Sequence, residues 1–419
     1  MSITVTKEES LAYHEFPKPG KLGIEVTVPF TSQKDLALAY TPGVANPCLE
    51  IEKDPANAFR YTAKKNLVAV ISNGTAVLGL GDIGALASKP VMEGKSILFK
   101  KFSAIDSFDI EVDEKDPAKF CEIVEAISPT FGGINLEDIS APTCFEIEKR
   151  LVKSLDIPVM HDDQHGTAII SSSGLLNAAE IFGKELKEMK IVVVGAGAAA
   201  ISCARMYRVL GVQNIIMLDS KGVIHNGRDN LNEFKKEFSI DEALTQTEAF
   251  TDADMVLGLS SPGSFTKEDI SVMSDTPIVF ALSNPTPEVF PDEVREVKPN
   301  AIVGTGRSDF HNQVNNVLGF PFIFRGALDV QATEINMEMK KAAAFAIADL
   351  AKKDVTEHVR EIFGDLAYGK EYIIPKPFDK RLMIDVSSAV AKAAVDTGVA
   401  RVSEFDYEGY REDLSNMLG

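Results

Sequence analysis

Lys95 stands where a solvated lysine does not belong. In the run from Val91 to Phe102, read as a helix, Val91, Met92, Leu98, Phe99 and Phe102 make one apolar stripe at three- and four-residue spacing, and Lys95 falls in its middle. Lys100 and Lys101 point elsewhere. Burial disfavours an ammonium and lowers its pKa, which makes a lysine a usable general base near neutral pH. The same pattern fits a lysine snorkelling at a helix edge, and Gly94 weakens the helix itself.

Two pairs of acids offer a second kind of chemistry. Ile134-Asn135-Leu136 leads into Glu137-Asp138, and Pro158-Val159-Met160-His161 leads into Asp162-Asp163. If both apolar runs are parallel strands, both pairs emerge at carboxyl ends, where open α/β sheets place their ligands. Four acids in one place repel one another unless a cation joins them, and hard oxygen donors suit Mg²⁺ or Mn²⁺ rather than zinc. The alternative gives Asp162 and Asp163 to the capping of a helix that starts near His165, and Glu137 and Asp138 to a solvated turn. His161 and His165 read as structural histidines.

A third group binds rather than reacts. The β-branched run Ile191-Val192-Val193-Val194 leads into Gly195-Ala196-Gly197-Ala198-Ala199-Ala200, a GxGxxA pattern. The first glycine permits a tight turn, the second lets backbone amides approach a pyrophosphate, and a small third residue lets the helix pack on the strand. That helix runs through Cys203, Met206, Tyr207 and Leu210 to Gly211, and the next strand ends on Asp219. This is the place of the acid that meets the adenosine ribose, about 20 residues after the glycines. A carboxylate there favours NAD over NADP, although Ser220, Lys221 and Lys236 lie near enough to accommodate a 2′-phosphate.

These groups need a scaffold, and the pattern of apolar runs supplies one. Short runs at Leu67 to Ile71, Ile134 to Leu136 and Pro158 to Met160, separated by helical patterns, predict an α/β N-terminal domain over residues 1–160. A second alternation of strands, at residues 191–194, 214–218, 255–259, 278–282 and 301–303, has the rhythm of a doubly wound parallel sheet, a Rossmann-like domain over residues 161–395. Asp329 to Lys352 reads as one long helix and Arg381 to Val395 as another, with Pro375 and Pro377 between them, and residues 396–419 form a tail. The first ~30 residues are polar, and no firm structure is expected there.

Composition narrows the function classes. With 45% hydrophobic and 25% charged residues the chain reads as soluble and globular, and no apolar run approaches the ~20 residues that span a bilayer. The start MSITVTKEES lacks the basic and apolar run of an export signal, so a cytoplasmic protein is expected. Cys48, Cys121, Cys144 and Cys203 show no zinc spacing and read as reduced packing residues. A net charge of −19 excludes nucleic acid as a partner and obliges an anionic substrate to find a local positive centre.

The segments Tyr40-Thr41-Pro42-Gly43-Val44, Gly79-Leu80-Gly81-Asp82-Ile83-Gly84, Asn135-Leu136-Glu137-Asp138 and His161-Asp162-Asp163-Gln164-His165-Gly166-Thr167-Ala168 resemble, in order and spacing, the malic enzyme family. The resemblance runs from about residue 30 to about residue 395 and is strongest to the compact bacterial and archaeal branch. It implies that Tyr40 and Lys95 are catalytic, that Glu137, Asp138 and Asp163 bind a divalent metal, and that Asn284 and Asn315 meet substrate or nicotinamide. From the residues alone Tyr40 reads as a core aromatic ending a helix at Pro42, and the two asparagines as turn formers. One departure stands out: larger family members carry an arginine just before their GLGD motif, where this chain reads Asn73-Gly74-Thr75-Ala76-Val77. Another cation must then neutralise the distal substrate carboxylate.

The expectation is therefore a homodimeric, metal-dependent dehydrogenase that oxidises L-malate with NAD or NADP through oxaloacetate and releases pyruvate and CO₂. In that reading neutral Lys95 takes the hydroxyl proton and Tyr40 protonates C3. A metal-dependent oxaloacetate decarboxylase on the same scaffold would need the metal, Lys95 and Tyr40 but no redox step. A non-catalytic dinucleotide-sensing or phosphate-acetyl-transfer partner module would need neither the carboxylates nor Lys95.

Overall fold

The apolar run after residue 66 forms β1 (Leu67–Ser72), buried along its whole length as the inner strand of a parallel sheet should be. In this computed structural model, which describes residues 5–77, 79–402 and 404–418, β1 pairs with β2 (Asp106–Glu111) on one side and β3 (Gly133–Leu136) on the other. Next to β3 lies β4 (Val159–His161), giving a four-stranded parallel sheet in the order β2-β1-β3-β4. The register pairs Leu136 with His161, so the two acid pairs that follow leave the sheet side by side.

Before this sheet runs an arm of four short helices, α1 (Lys7–Glu15), α2 (Gln33–Ala39), α3 (Ala45–Lys53) and α4 (Ala58–Tyr61), in which no residue is buried. Helix α1 forms where no structure was expected, because Thr6 and Glu9 close a capping box on its first turn. Residues 1–4 lie outside the described residues. Helix α5 (Ala85–Ser103) carries the predicted stripe, with Met92, Lys95 and Phe99 buried and Lys100 and Lys101 out in solvent. Helices α6 (Pro117–Ile127) and α7 (Thr143–Ser154) complete the crossovers of the first sheet.

From the end of β4 the chain enters α8 (Asp162–Phe182), 21 residues long and mostly buried. It carries the chain to the second sheet, built from β5 (Lys190–Val194), β6 (Asn214–Asp219), β7 (Gly222–Val223), β8 (Met255–Gly258), β9 (Ile278–Ala281), β10 (Ile302–Thr305) and β11 (Asn312–Gln313). Their order, β11-β10-β9-β8-β5-β6-β7, with only β7 antiparallel, is the doubly wound arrangement. Helix α9 (Ala198–Val209) follows β5 and packs on α8, and the short helices α10 (Glu233–Lys236), α11 (Gln246–Phe250), α12 (Lys267–Ser271) and α13 (Pro291–Val297) lie in the later connections.

Five helices follow: α14 (Phe320–Asp329), α15 (Met337–Ala351), α16 (Glu357–Phe363), α17 (Arg381–Asp396) and α18 (Tyr407–Met417). The single helix expected from Asp329 to Lys352 is instead broken. Gln331 takes a left-handed φ of +50° and the Asn336 side chain caps α15 by accepting from Met339 N–H. Helix α14, grouped by sequence with the second domain, packs on the first: Phe99 of α5 meets Phe320 and Phe324 edge to face at 4.8 and 5.4 Å between centroids. Arg325 donates to Asn66 Oδ1 at 2.6 Å. The reason is that α14 is buried from Phe320 to Leu328 and needs a second apolar face, which α5 offers. Among the described residues no helix is long and apolar enough to cross a membrane.

Candidate active site

Lys95 is 8% exposed and its Nζ lies 2.7 Å from Glu137 Oε1 and 2.7 Å from Asp162 Oδ2. It also sits 4.3 Å from the ring centroid of Phe320, which closes it off from α14. The predicted burial holds, but its electrostatic consequence is reversed. Desolvation alone lowers a lysine, yet the charges of Asp162, Glu137 and Asp163 outweigh it and raise the Lys95 pKa above its ordinary value. The carboxylates around Lys95 thus favour its ammonium form, a shift opposite in direction to the one expected from burial in the apolar stripe.

The four acids converge as the strand register requires. Glu137 is 4%, Asp138 2% and Asp162 0% exposed. Glu137 Oε2 accepts from Asn135 Nδ2 at 2.9 Å, and Asp163 Oδ2 accepts from the Asp138 backbone N–H at 2.8 Å, which Asp138 can present because it turns through a left-handed φ of +53°. One oxygen from each of Glu137, Asp138 and Asp163 lies within 4.8 Å of the others. An all-oxygen donor set of three carboxylates fits a hard divalent cation. Asp162 takes a different part: besides Lys95 it accepts from Asn316 Nδ2 at 2.5 Å. Burial, ahead of the opposing charge of Lys95, pushes Glu137 and Asp162 up to about 7 and Asp163 up to about 6.

Behind the carboxylates stands a second polar layer. Glu148 of α7 accepts from the His161 backbone N–H at 2.9 Å and meets His165 Nε2 at 2.9 Å. The charge and hydrogen bond of His165 hold the Glu148 carboxyl down to about 2 against the effect of burial. Burial keeps His161 neutral, with its pKa pushed down to about 4. Both histidines thus support the first turn of α8, in line with the structural reading.

The dinucleotide fingerprint has the predicted form. Gly195 has φ +120°, and a Cβ there would lie 2.3 Å from the Leu259 carbonyl oxygen, so only glycine fits beside β8. Ala196 precedes Gly197, which caps α9; Ala198 opens the helix and Ala200 is fully buried against the sheet. Asp219 ends β6 as expected, and its carboxylate is ion-paired there. Its Oδ2 is 2.9 Å from Arg228 Nη2 and 2.6 Å from Lys235 Nζ, and Oδ1 accepts from Lys221 N–H. Against burial, these hydrogen bonds and charges hold its carboxyl down to about 2. With two cations beside it, Asp219 repels a 2′-phosphate less than an isolated carboxylate would.

One other expectation shifts. Tyr40 is not a core aromatic: it caps the C-terminus of α2 and is 69% exposed, on the arm. Asn315 Oδ1 accepts from Val317 N–H and caps the turn that follows, while its neighbour Asn316 reaches Asp162. Asn284 follows β9 and touches the backbone of Gly306, at the carboxyl edge of the second sheet. Cys48 is exposed, whereas Cys121, Cys144 and Cys203 are buried. Sequence reasoning left out Asn316 and Glu148 altogether and gave Asp162 no separate role. Asn316 carried a faint signal in the Asn-Asn pair; Glu148 carried none.

Comparison with known proteins identifies the family. Residues 19–152 match the family model for the malic enzyme N-terminal domain and residues 164–371 that for the malic enzyme NAD binding domain. The chain is 56% identical over 419 residues to the NADP-dependent malic enzyme of Escherichia coli, a match covering 98% of this chain and 55% of that protein. It is also 56% identical over 400 residues to the NADP-dependent malic enzyme of Halomonas elongata, covering 94% and 95%. The first relatives it matches are thus about twice as long as the region it shares with them. A crystal structure of malic enzyme from Pyrococcus horikoshii superposes with a TM-score of 0.90 at 41% identity, covering 98% of this chain and 95% of that one. Both halves of the molecule, the carboxylate site and the dinucleotide sheet, fall within these matches, and the chain belongs to the malic enzyme family.

Proposed function

We propose that the chain oxidises and decarboxylates L-malate to pyruvate and CO₂ with a nicotinamide dinucleotide, using Mg²⁺ or Mn²⁺ held by Glu137, Asp138 and Asp163. The observation that carries this reading is Lys95, fixed between Glu137 and Asp162 beside that carboxylate cluster. When bound, the cation polarises the C2 oxygen of the substrate and the nicotinamide accepts the C2 hydride.

The side chains handle the protons. Lys95 receives the hydroxyl proton as it passes one of its own to Asp162 at 2.7 Å, whose burial makes it a proton acceptor near neutral pH. Asn316 steadies Asp162 in this exchange. Tyr40 is the acid that delivers a proton to C3 after CO₂ leaves. We assign residues 1–160 to the substrate and metal domain and 161–395 to the dinucleotide domain, with the helices after residue 320 shared between them. We also assign a homodimer in the cytoplasm, where a soluble nicotinamide pool is available. Support for the dimer comes from the arm: Ile24, Val26, Val28 and Phe30 alternate along an extended stretch and are each more than half exposed. A second copy is the natural cover for them.

The cofactor we assign is NADP, because Arg228 and Lys235 bring two cations to the ribose end and a 2′-phosphate is their natural ligand.

Four outcomes are expected. Native protein with Mn²⁺ and L-malate should reduce NADP, and Lys95→Ala should lower kcat by about 10²- to 10⁴-fold while the NADP dissociation constant stays within about twofold. No malate-dependent reduction with either nucleotide would sink the proposal, and turnover of oxaloacetate alone would favour the decarboxylase. Arg228→Gln should raise KM for NADP by about tenfold or more with little change for NAD, as expected for a charged hydrogen bond; equal changes would argue for NAD. Sedimentation equilibrium should give twice the chain mass, and a monomer at micromolar concentration would remove the dimer. Finally, Glu137, Asp162 and Asp163 have raised pKa values, so their contribution to stability is present below the unfolded values near ~4 and is lost as pH rises through 6 to 7. A cation replaces the lost protons, so the rise in Tm on adding Mn²⁺ should be larger at pH 7.5 than at pH 5, and an equal rise would contradict the assigned ligands.

A further inference from the structure

L-malate carries two carboxylates, and on the reading proposed above the cation at Glu137, Asp138 and Asp163 takes one of them. A chain of net charge −19 must meet the other with a local positive group. Lys95 lies beside the cation cluster between Glu137 and Asp162, and Arg228 and Lys235 lie at the ribose end, where the 2′-phosphate is assigned. We infer that Arg307 recognises the second carboxylate of the substrate. The inference rests on the malate reading and names the residue that makes the site specific for a diacid.

Its position follows from a chain of contacts. Arg307 lies two residues beyond β10, at the carboxyl edge of the second sheet. Its Nη1 donates to the Pro285 carbonyl oxygen at 3.0 Å, next to Asn284, and a Cβ on Gly306 would lie 2.6 Å from Asn284 Nδ2. The glycine-rich loop of residues 74–77 and 79–84 comes to the same corner from the first sheet: a Cβ on Gly79 would lie 2.8 Å from the Asn284 carbonyl oxygen. That loop is fastened to the carboxylate cluster, since Ala76 N–H donates to the Asp138 carbonyl oxygen at 3.0 Å. One loop therefore touches both a cation ligand and the corner that Arg307 occupies. Beyond Arg307 the chain returns through β11 to Asn316, which binds Asp162.

The state of the side chain also fits. The Arg307 side chain is 36% exposed and makes a two-pronged pair with Asp309, Nε to Oδ1 and Nη2 to Oδ2, each at 2.8 Å. An exposed pair within one loop is weak and easily exchanged. A fork that already grips one carboxylate has the geometry to grip another, so Asp309 occupies the place that the substrate acid takes. When the C3–C4 bond breaks, its electron pair stays on C3 and the departing CO₂ is neutral. Asp309 then returns to Arg307.

Steady-state kinetics on the whole chain with saturating NADP and Mn²⁺ tests this. Arg307→Gln should raise KM for L-malate by about tenfold or more, the usual consequence of losing a hydrogen bond to a charge, while Mn²⁺ and NADP dissociation constants stay within about twofold. Arg307→Lys, which keeps the charge and loses the fork, should fall between native and Arg307→Gln. Asp309→Asn should leave KM unraised, because it frees Arg307. A native-like malate KM in Arg307→Gln overturns the inference. So does a rise in Asp309→Asn equal to that in Arg307→Gln, which would mean that only the loop pair matters. If the native protein does not turn over L-malate, the malate reading falls and this inference falls with it; native turnover with an indifferent Arg307→Gln overturns the inference alone.

Discussion

The ammonium of Lys95 is held at 2.7 Å by Glu137 and by Asp162, all three out of water, and much of the molecule is arranged around that contact. Two adjacent parallel strands, β3 and β4, deliver the carboxylates in register. Helix α5 delivers the lysine from the opposite direction, and α14 closes the space with Phe320. Removing one partner from such a buried pair strands the other, at a cost of about 3–5 kcal/mol. Four carboxylates share one ammonium here, so the pair stabilises the site only in part. A divalent cation completes the balance, and the raised carboxyl pKa values express the same deficit in proton terms.

Much of this was legible in the amino-acid sequence because it depends on burial. β1, β3, β5, β8, β9 and β10 are apolar runs, and apolar runs announce inner parallel strands. β2 was not legible: its sequence is Asp-Ser-Phe-Asp-Ile-Glu, and as an edge strand it is only partly covered. Lys95 was found by its place in a stripe, but the direction of its pKa shift was not legible, since a helix pattern records burial and is silent about partners arriving from other strands. The contact from Asn316 to Asp162 was missed for the same reason. Which of two adjacent asparagines caps a turn and which crosses to Asp162 depends on backbone direction at one residue.

The carboxyl-terminal helices were predicted as elements but not in their partners. Helix α14 pairs with α5, α15 with α8 and α17, and α18 with α17, so the part of the chain after the second sheet wraps back over the first. Tyr410 of α18 even reaches Asp329 at 2.7 Å. A domain boundary read along the chain separates residues that space puts together. Lys95 depends on Phe320, 225 positions later, as closely as on anything near it in sequence.

Glu148 has a different sort of importance. It lies on α7, contacts the two histidines that flank the acid pair, and is outside the carboxylate cluster itself. The first turn of α8 is thus positioned from behind, by a residue on a neighbouring helix. For anyone reshaping this molecule toward a new hydroxy acid, the set of positions to leave alone extends past the carboxylate cluster into its backing. A library that randomises positions outside the cluster as harmless would erode it from the rear.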